Sequence, residues 1–211
     1  MSFELKKEIK GFTLIEIMVV LALIAILGSI TIMSDYKTNK YKNSLLVDTE
    51  AVSIDIRDMQ NRTSNFLQDT IVNNIGYGIF FDLNNRLRTE TFFKKEGDFD
   101  ISELSSVNSM KPIDDFIFNS NNSIKRICLN GCSTKELYPQ GKLAIYFIKP
   151  RPYAYFSYSD DGLTYYTNLY PSYNAINHAC IEIFSEGISD VRRIDVYYIG
   201  QISFSYGNCE N

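Results

Sequence analysis

The sequence predicts an α+β protein in which a long N-terminal helix, first transmembrane and then amphipathic, packs on a C-terminal antiparallel β-sheet domain. Residues 17–33 carry no charge, and residues 29–66 contain neither Pro nor Gly, so one helix can continue from the apolar run into the polar chain beyond it. After Asn73 and Asn74 the pattern changes to short runs of aromatic and β-branched residues bounded by turn formers. Such runs are typical of strands.

The overall composition describes a globular protein and excludes several classes. Of 211 residues, 45% are hydrophobic and 22% are charged, which excludes a disordered chain, collagen and a polytopic membrane protein. The formal net charge of -4 predicts no general affinity for nucleic acid. A single histidine, His178, argues against a multi-histidine metal centre and against Ser-His-Asp catalysis. We therefore expect neither a cofactor nor an enzyme activity.

The apolar run near the N-terminus has the length of a membrane span. Extended back to Phe12, it covers 22 residues, or about 33 Å of helix, against a bilayer core of about 30 Å. Glu16 is its only charge, and a carboxylate inside a membrane helix costs on the order of 2.5–3.5 kcal/mol. A cleaved secretory signal is one alternative, although small residues are missing at the cleavage offsets. A plain single-pass anchor is another, although it leaves Glu16 unexplained.

The stretch Lys10-Gly11-Phe12-Thr13-Leu14-Ile15-Glu16 resembles the cleavage and methylation motif of the type IV pilin and type II secretion pseudopilin family. The resemblance implies that prepilin peptidase cuts between Gly11 and Phe12 and then N-methylates Phe12. It also implies that Glu16 neutralises the Phe12 amine of a neighbouring subunit during assembly. The implied protein is a structural subunit of a type IV pilus or type II secretion pseudopilus. It would cross the inner (cytoplasmic) membrane once, with its C-terminal domain outside the cytoplasm.

The motif and the hydropathy pattern together predict four segments. Residues 1–11 form the leader peptide, and residues 12–33 form the transmembrane and assembly helix. Residues 34–66 form an amphipathic stalk helix, and residues 67–211 form a β-rich exported globular domain.

Semi-apolar residues recur along the stalk at alternating spacings of four and three, which makes one stripe on a helix. We expect this stripe to pack on the domain's own sheet, and a seam with a partner helix is the alternative. The intervening residues, Asp48 among them, are mostly polar. The stripe consists of Leu45, Thr49, Val52, Ile56, Met59, Thr63 and Phe66.

Ten short runs predict strands. Residues 143–148 are apolar throughout and predict a central strand that is buried on both faces. Gly200 predicts a hairpin in which it takes the first turn position, between Ile199 and Ile202. Polar residues predict loops over 95–111 and around 119–123. The predicted strands are 78–82, 87–94, 116–119, 124–129, 143–148, 153–159, 163–168, 180–184, 191–199 and 202–206.

Two looser patterns resemble H-type minor pseudopilins and FimT-like minor pilins. Tyr77-Gly78-Ile79-Phe80-Phe81 resembles their first strand, and the runs over 181–184 and 191–206 resemble their closing hairpin. FimT-like proteins are implicated in DNA capture through basic residues near the C-terminus, so DNA binding for natural transformation is the alternative function. Residues 201–211 contain no Lys or Arg, and only Arg192 and Arg193 form a basic pair nearby. We therefore expect no nucleic-acid partner.

The four cysteines are an even number and fit two disulfides in an exported chain. Asn130-Gly131 signals a tight turn, and a three-residue loop there brings Cys128 and Cys132 within disulfide reach. Cys180 and Cys209 are then left to pair, which closes a loop of roughly 30 residues and stabilises the fold by about 3–4 kcal/mol. A four-cysteine zinc site and unpaired thiols are the alternatives; we expect disulfides and no metal.

The remaining candidates favour structural interpretations. A tyrosine-rich cluster could form a ligand-stacking surface, but such residues more often fill or edge an antiparallel sheet. Asp160-Asp161-Gly162 resembles a fragment of a calcium loop, yet most such triplets are turns. His178 has no obvious acid–base partner in the sequence, which favours a structural or surface role. The cluster comprises Tyr153, Tyr155, Phe156, Tyr158, Tyr165, Tyr166, Tyr170 and Tyr173.

Overall fold

The computed structural model describes residues 13–65, 74–95, 110–119, 121–137, 139–148, 151–161, 165–168 and 176–209. The chain divides into two compact units, Met1–Lys40 and Tyr41–Asn211. The described part of the first unit is helical, and the second unit contains the rest of that helix and every described strand. The segment boundaries expected at residues 11, 33 and 66 stay predictions.

One helix, α1 (Leu14–Asn65), contributes to both units. The helix contains no proline, and its single glycine, Gly28, lies where an added Cβ would meet nothing within 4 Å. The long helix that the sequence predicts is therefore present, although Phe66, its expected last residue, lies outside the described residues. Among the residues that the structure describes, no helix combines the length and the apolar character needed to cross a membrane.

The second unit is built on antiparallel β-structure, as the sequence predicts, and this structure is divided into two sheets. The described strands are β1 (Asn74–Asp82), β2 (Arg88–Lys95), β3 (Met110–Ile117), β4 (Asn122–Leu129), β5 (Lys135–Glu136), β6 (Lys142–Ile148), β7 (Arg151–Ser159), β8 (Tyr165–Asn168), β9 (His178–Ser185), β10 (Val191–Tyr197) and β11 (Ile202–Tyr206). Sheet A has the order β3-β2-β1-β6-β7-β8, and sheet B has the order β11-β10-β9-β4-β5. Neighbouring strands in both sheets run antiparallel.

β6 is the predicted central strand. It lies between β1 and β7, and its residues 143–147 are all buried. Ile145 and Phe147 join the main core, whereas Ala144 and Tyr146 join a smaller cluster with Phe92. Because alternate side chains enter separate clusters, the strand is buried on both faces, and the prediction is confirmed.

The predicted stripe of α1 packs into the main core, which also takes residues from both sheets. The helix covers these sheets because its apolar positions recur at helical spacing on one face. The two threonines of the stripe are buried as well, and Thr49 Oγ1 donates to the carbonyl of Leu45 over 2.7 Å. Packing of the stripe on the chain's own sheets is therefore confirmed. Its buried members are Leu45, Thr49, Val52, Ile56, Met59 and Thr63.

Several strand boundaries differ from the predictions. β3 begins at Met110, inside the segment predicted as a loop, and ends at Ile117 rather than at residue 119. β4 begins at Asn122, which the sequence places in a polar loop. The sequence does not predict β5, because two residues leave no periodic pattern.

The β10–β11 hairpin has a longer loop than predicted. The N–H of Tyr197 donates to the carbonyl of Gln201 over 2.9 Å, so residues 198–200 form the loop. Gly200 is the last of them, at φ 87°, and its N–H donates to the carbonyl of Tyr197. The prediction that Gly200 takes the first turn position is therefore wrong. The left-handed conformation, which only glycine adopts easily, therefore comes at the end of this turn.

Candidate functional site

The first turn of α1 carries the motif residue Glu16. The backbone N–H of Glu16 donates to Thr13 Oγ1 over 3.3 Å and to the Thr13 carbonyl over 3.1 Å. Thr13 is therefore the N-cap, and Glu16 lies in the turn where the helix dipole favours a carboxylate. The sequence contains the Thr-x-x-Glu pattern that indicates such a cap. The cap itself is not among the features predicted above. Gly11 and Phe12 lie outside the described residues.

Large apolar side chains of the first unit point outward on every side of α1. Each is about half exposed or more, from 49% at Val20 to 78% at Leu14. Adjoining exposed apolar side chains of this kind mark an interaction surface. The residues are Leu14, Ile15, Ile17, Met18, Val19, Val20, Leu21, Leu23, Ile24, Ile26 and Leu27.

Sheet B carries two disulfides on one face, Cys128–Cys132 and Cys180–Cys209. These are the pairs expected from the sequence, but the turn at the first pair differs from the expected one. Across the β4–β5 ladder Cys128 is opposite Glu136, so Cys132 lies inside a loop over residues 130–134. Asn130 (φ 55°) and Gly131 (φ 92°) both adopt left-handed conformations in this loop.

The two disulfides contact each other. Cys128 and Cys180 are direct partners across β4 and β9. The sulfur atoms of Cys128, Cys132 and Cys209 all lie within 4.8 Å of one another. Cys128, Cys180 and Cys209 are buried. We call this group of four residues the cysteine cluster.

A buried carboxylate lies beside the cysteine cluster. Glu182 is fully buried on β9 and accepts a hydrogen bond from the backbone N–H of Cys209 over 2.5 Å. Its side chain also pairs with Arg126 (2.7 Å) and Lys125 (3.4 Å). The hydrogen bond to Glu182 raises the pKa of Arg126. Glu182 therefore links β4, β9 and the C-terminal tail through one charged group.

His178 has a partner, which corrects the expectation from the sequence. Its Nε2 lies 2.9 Å from Asp195 Oδ1, and its ring stacks on Tyr197 with centroids 4.6 Å apart. Asp195 also pairs with Arg193 Nε over 3.2 Å. The partner lies on β10, so no local sequence signal could identify it. The histidine side chain is 22% exposed and lies in a network between β9 and β10, two inner strands of sheet B, which agrees with the structural role expected for it.

The tyrosine-rich cluster lies in sheet A and around its edge. Phe156 belongs to the main core, whereas Tyr153 stacks on Tyr198 with centroids 5.1 Å apart. Tyr158 stacks on Tyr166 across β7 and β8. These rings thus pair across β7 and β8 and between β7 and the β10–β11 loop, as the structural interpretation expects. Tyr170 and Tyr173 lie outside the described residues.

The Asp160–Asp161 turn pairs with a lysine. Asp160 accepts a hydrogen bond from Lys135 Nζ over 2.5 Å, and this bond raises the pKa of Lys135. Asp161 accepts a hydrogen bond from Ser159 Oγ over 3.1 Å. The turn thus joins β5 to the end of β7, and Gly162 lies outside the described residues.

The basic pair of β10 is engaged within sheet B. Arg193 donates to Ser205 Oγ (2.9 Å) and to the carbonyl of Asn208 (2.8 Å). The Arg192 guanidinium lies over the ring of Tyr206, 5.8 Å from its centroid. Both guanidinium groups therefore hold β11 and the tail against β10.

An acidic groove of about 200 Å³ lies between α1 and sheet A. Its walls include Asp55 and Asp58 of α1 and Asp114 and Asp115 of β3, with Arg62 at one side. Burial and the nearby Asp114 raise the pKa of Asp55. The sequence does not predict this groove, because it forms only when β3 packs beside the helix.

One segment of the chain is similar to a known protein family. Residues 6–32 match the family described as "Prokaryotic N-terminal methylation motif". No curated protein and no solved structure shows significant similarity to the chain. The match supports a type IV pilin-like protein, a structural subunit that prepilin peptidase processes at this motif.

Proposed function

We propose that the chain is a minor pilin or pseudopilin. In this proposal prepilin peptidase cleaves after Gly11 and N-methylates Phe12, and the processed subunit is assembled into a type IV pilus or a type II secretion pseudopilus. The observation that carries the proposal is the methylation-motif match over residues 6–32, together with the long helix α1, which begins inside that segment at Leu14 and continues to Asn65. The H-type or FimT-like subtype rests on the looser strand resemblance.

The apolar part of α1 serves two roles in this proposal. Before assembly, residues 12–33 anchor the subunit in the inner membrane, which covers the exposed apolar side chains of the first unit. After assembly, the same side chains pack against helices of other subunits. Glu16 gives the second role its specificity, because a carboxylate in an apolar environment needs a cationic partner. The methylated amine of Phe12 in a neighbouring subunit is that partner.

The disulfides support placing the second unit outside the cytoplasm. Disulfides persist in oxidising compartments and are rare in the cytosol. Both bonds lie in the second unit, which is the part that follows the apolar run.

DNA capture, the alternative function, gains no support from the described basic pair. Arg193 already donates to Ser205 and Asn208, and Arg192 lies over Tyr206. Phosphate binding by these groups would compete with contacts that hold the tail.

Processing is tested by mass spectrometry of Gly11→Val. The wild-type chain should begin at N-methylated Phe12, whereas the variant should keep residues 1–11 and carry no methyl group. Gly28→Ala is the matched control, because Gly28 has open space for a Cβ and lies apart from the Lys10–Glu16 stretch that surrounds the cleavage site. Removal of the leader from the Gly11 variant would refute the cleavage site.

Assembly is tested by Glu16→Gln, which keeps the shape of the side chain and removes its charge. The variant should be cleaved and methylated normally but be lost from the fibre fraction. Asp35→Asn, an exposed carboxylate further along α1, is the control and should assemble as the wild type does. Normal recovery of Glu16→Gln in the fibre would refute the role of Glu16 while leaving the processing claim intact.

A further inference from the structure

We propose that the cysteine cluster becomes a binding site for a thiophilic divalent cation of the Zn²⁺ class when its two disulfides are reduced. Four sulfur ligands meet on one face of sheet B, from strand β4, the loop after it, strand β9 and the C-terminal tail. Four cysteines are a complete ligand set for tetrahedral zinc. The proposal does not depend on the function of the N-terminal motif.

The sulfur positions are close to those that the metal requires. In a tetrahedral site with Zn–S bonds of about 2.3 Å, neighbouring sulfurs are about 3.8 Å apart. The sulfurs of Cys128, Cys132 and Cys209 already lie within 4.8 Å of one another. Cys180 faces Cys128 directly across the ladder, which places the fourth donor beside the other three. In the structure the sulfurs are bonded in two pairs, so reduction must let each pair separate to this spacing, which requires side-chain movement but no change of the β4–β9 register.

The loop that carries Cys132 is fixed by bonds that do not involve sulfur. The N–H of Asn130 donates to the carbonyl of His178 over 2.8 Å. In return, Asn130 Oδ1 accepts the N–H groups of Asn177 (2.8 Å) and His178 (3.1 Å). Reduction of Cys128–Cys132 therefore leaves the loop attached to β9.

The tail that carries Cys209 is also fixed independently of its disulfide. The N–H of Gly207 donates to the carbonyl of Val191 over 2.9 Å, and Arg193 holds the carbonyl of Asn208 over 2.8 Å. Buried Glu182 accepts the N–H of Cys209 itself. Because loop and tail keep their anchors, reduction produces a preorganised set of thiols rather than four separated ones.

The chemistry balances with a dithiol as reductant. Each protein disulfide takes two electrons and two protons from one dithiol, which leaves as its own disulfide, and yields two thiols. Binding of the cation then displaces the thiol protons and forms the metal–sulfur bonds. Oxidation by a disulfide reverses the process and releases the cation.

The test uses the full chain in detergent, reduced with a dithiol that is then removed without air. Co²⁺ is the probe, because tetrahedral thiolate coordination gives it strong visible absorption. We expect one Co²⁺ per reduced chain, displaced by one equivalent of Zn²⁺, and no such absorption from the oxidised chain. Zn²⁺ should also raise the unfolding temperature of the reduced chain by several degrees and leave the oxidised chain unchanged. A reduced chain that binds no Co²⁺, whether folded or unfolded, overturns the proposal.

The Cys132→Ser variant distinguishes binding of the cation at a four-sulfur site from nonspecific binding of the cation to thiols. After reduction this variant should bind Co²⁺ at least tenfold more weakly and lose the four-thiolate spectrum. Ser133→Ala, at the neighbouring exposed position, is the matched control and should bind as the wild type does. Equal binding by wild type and Cys132→Ser would show that the cluster is not the site. If Cys132→Ser is unfolded when reduced, the Zn²⁺-dependent stabilisation of the wild-type chain decides the question alone.

Discussion

Asn122 Nδ2 donates a hydrogen bond to Asp48 Oδ2 over 2.8 Å, and both side chains are buried where α1 meets the start of β4. The same carboxylate accepts the backbone N–H of Asn119 over 2.8 Å and its side-chain amide over 2.5 Å. Three donors thus compensate the burial of one charge. This group ties the helix to the entry of sheet B and explains why β4 begins at Asn122.

We predict that Asp48→Ala destabilises the second unit by about 2–3 kcal/mol, because it leaves buried donors without their charged acceptor. The measurement is urea unfolding of the full chain in detergent, followed by circular dichroism. Asp58→Ala is the control: the Asp58 side chain is 45% exposed and pairs with Arg62 at i,i+4, so its loss should change stability by less than about 0.5 kcal/mol. Equal effects of the two substitutions would contradict the role assigned to Asp48.

Asp48 also shows where prediction from the sequence ends. The stripe of α1 could be predicted because its residues repeat with the helical period, and that period is local information. Asp48 lies among the polar residues of the same helix, and only its distant partners, Asn119 and Asn122, make burial favourable. Glu182 is a similar case, because a charge on β9 indicates an exposed position until Arg126 is placed beside it.

The cysteine cluster likewise has one feature that could be predicted from the sequence and one that could not. Asn130-Gly131 indicates the local turn, and the first pair leaves Cys180 and Cys209 to each other, so both pairs can be named from the sequence. Contact between the two disulfides depends on the β4–β9 register, which joins residues about 50 positions apart. The processing motif is local and could be identified, whereas the acidic groove requires the packing of β3 beside α1.

The contact between the disulfides predicts exchange when one cysteine is removed. In Cys180→Ser the freed Cys209 thiolate lies within 4.8 Å of both Cys128 and Cys132. It should attack that disulfide, form a bridge from Cys209 to one of the two, and release the other as a thiolate. Peptide mapping of the unreduced protein by mass spectrometry should find the new bridge. Recovery of intact Cys128–Cys132 with Cys209 fully alkylated would contradict the prediction.

Cys128→Ser gives the converse check. The freed Cys132 lies beside Cys209, with Cys132 Sγ 3.3 Å from the Cys209 carbonyl oxygen. It should form a Cys132–Cys209 bridge and release Cys180. Ser133→Cys in the wild-type background tests whether any added thiol nearby exchanges, and it should leave both native disulfides as the main species.

Glu182→Gln should destabilise the second unit by about 2–4 kcal/mol, because Arg126 then keeps a neutral partner and the Cys209 N–H loses a charged acceptor. Amide exchange near residue 209 should accelerate more than exchange in β6, since the tail depends on this carboxylate. Glu136→Gln is the control, because Glu136 is exposed and lies 3.8 Å from Arg126. Uniform acceleration in both regions would mean that Glu182 does not act specifically on the tail.

The raised pKa of Asp55 leads us to predict that replacing this residue with Asn stabilises the chain in a pH-dependent way. Burial and the charges of Asp114 and Asp58 raise its pKa, while Arg62 opposes them. A carboxyl whose pKa is higher in the folded than in the unfolded chain binds its proton more tightly when folded. Its contribution to stability therefore falls as the pH rises from the ordinary value of 3.8 through the raised pKa. Above that range the folded chain retains an unfavourable charge beside Asp114.

Asp55→Asn should therefore stabilise the chain at pH 7 by on the order of a few tenths of a kcal/mol, since solvent screens this partly exposed group. The gain should disappear near pH 3, where the wild-type carboxyl is protonated in both states. Urea unfolding at the two pH values measures the difference. Asp58→Asn is the matched control on the same helix face: Asp58 pairs with Arg62 over 2.7 Å, so its neutralisation should bring no gain at pH 7. An Asp55→Asn gain that is equal at both pH values would show that the added stability comes from packing and not from removal of the charge.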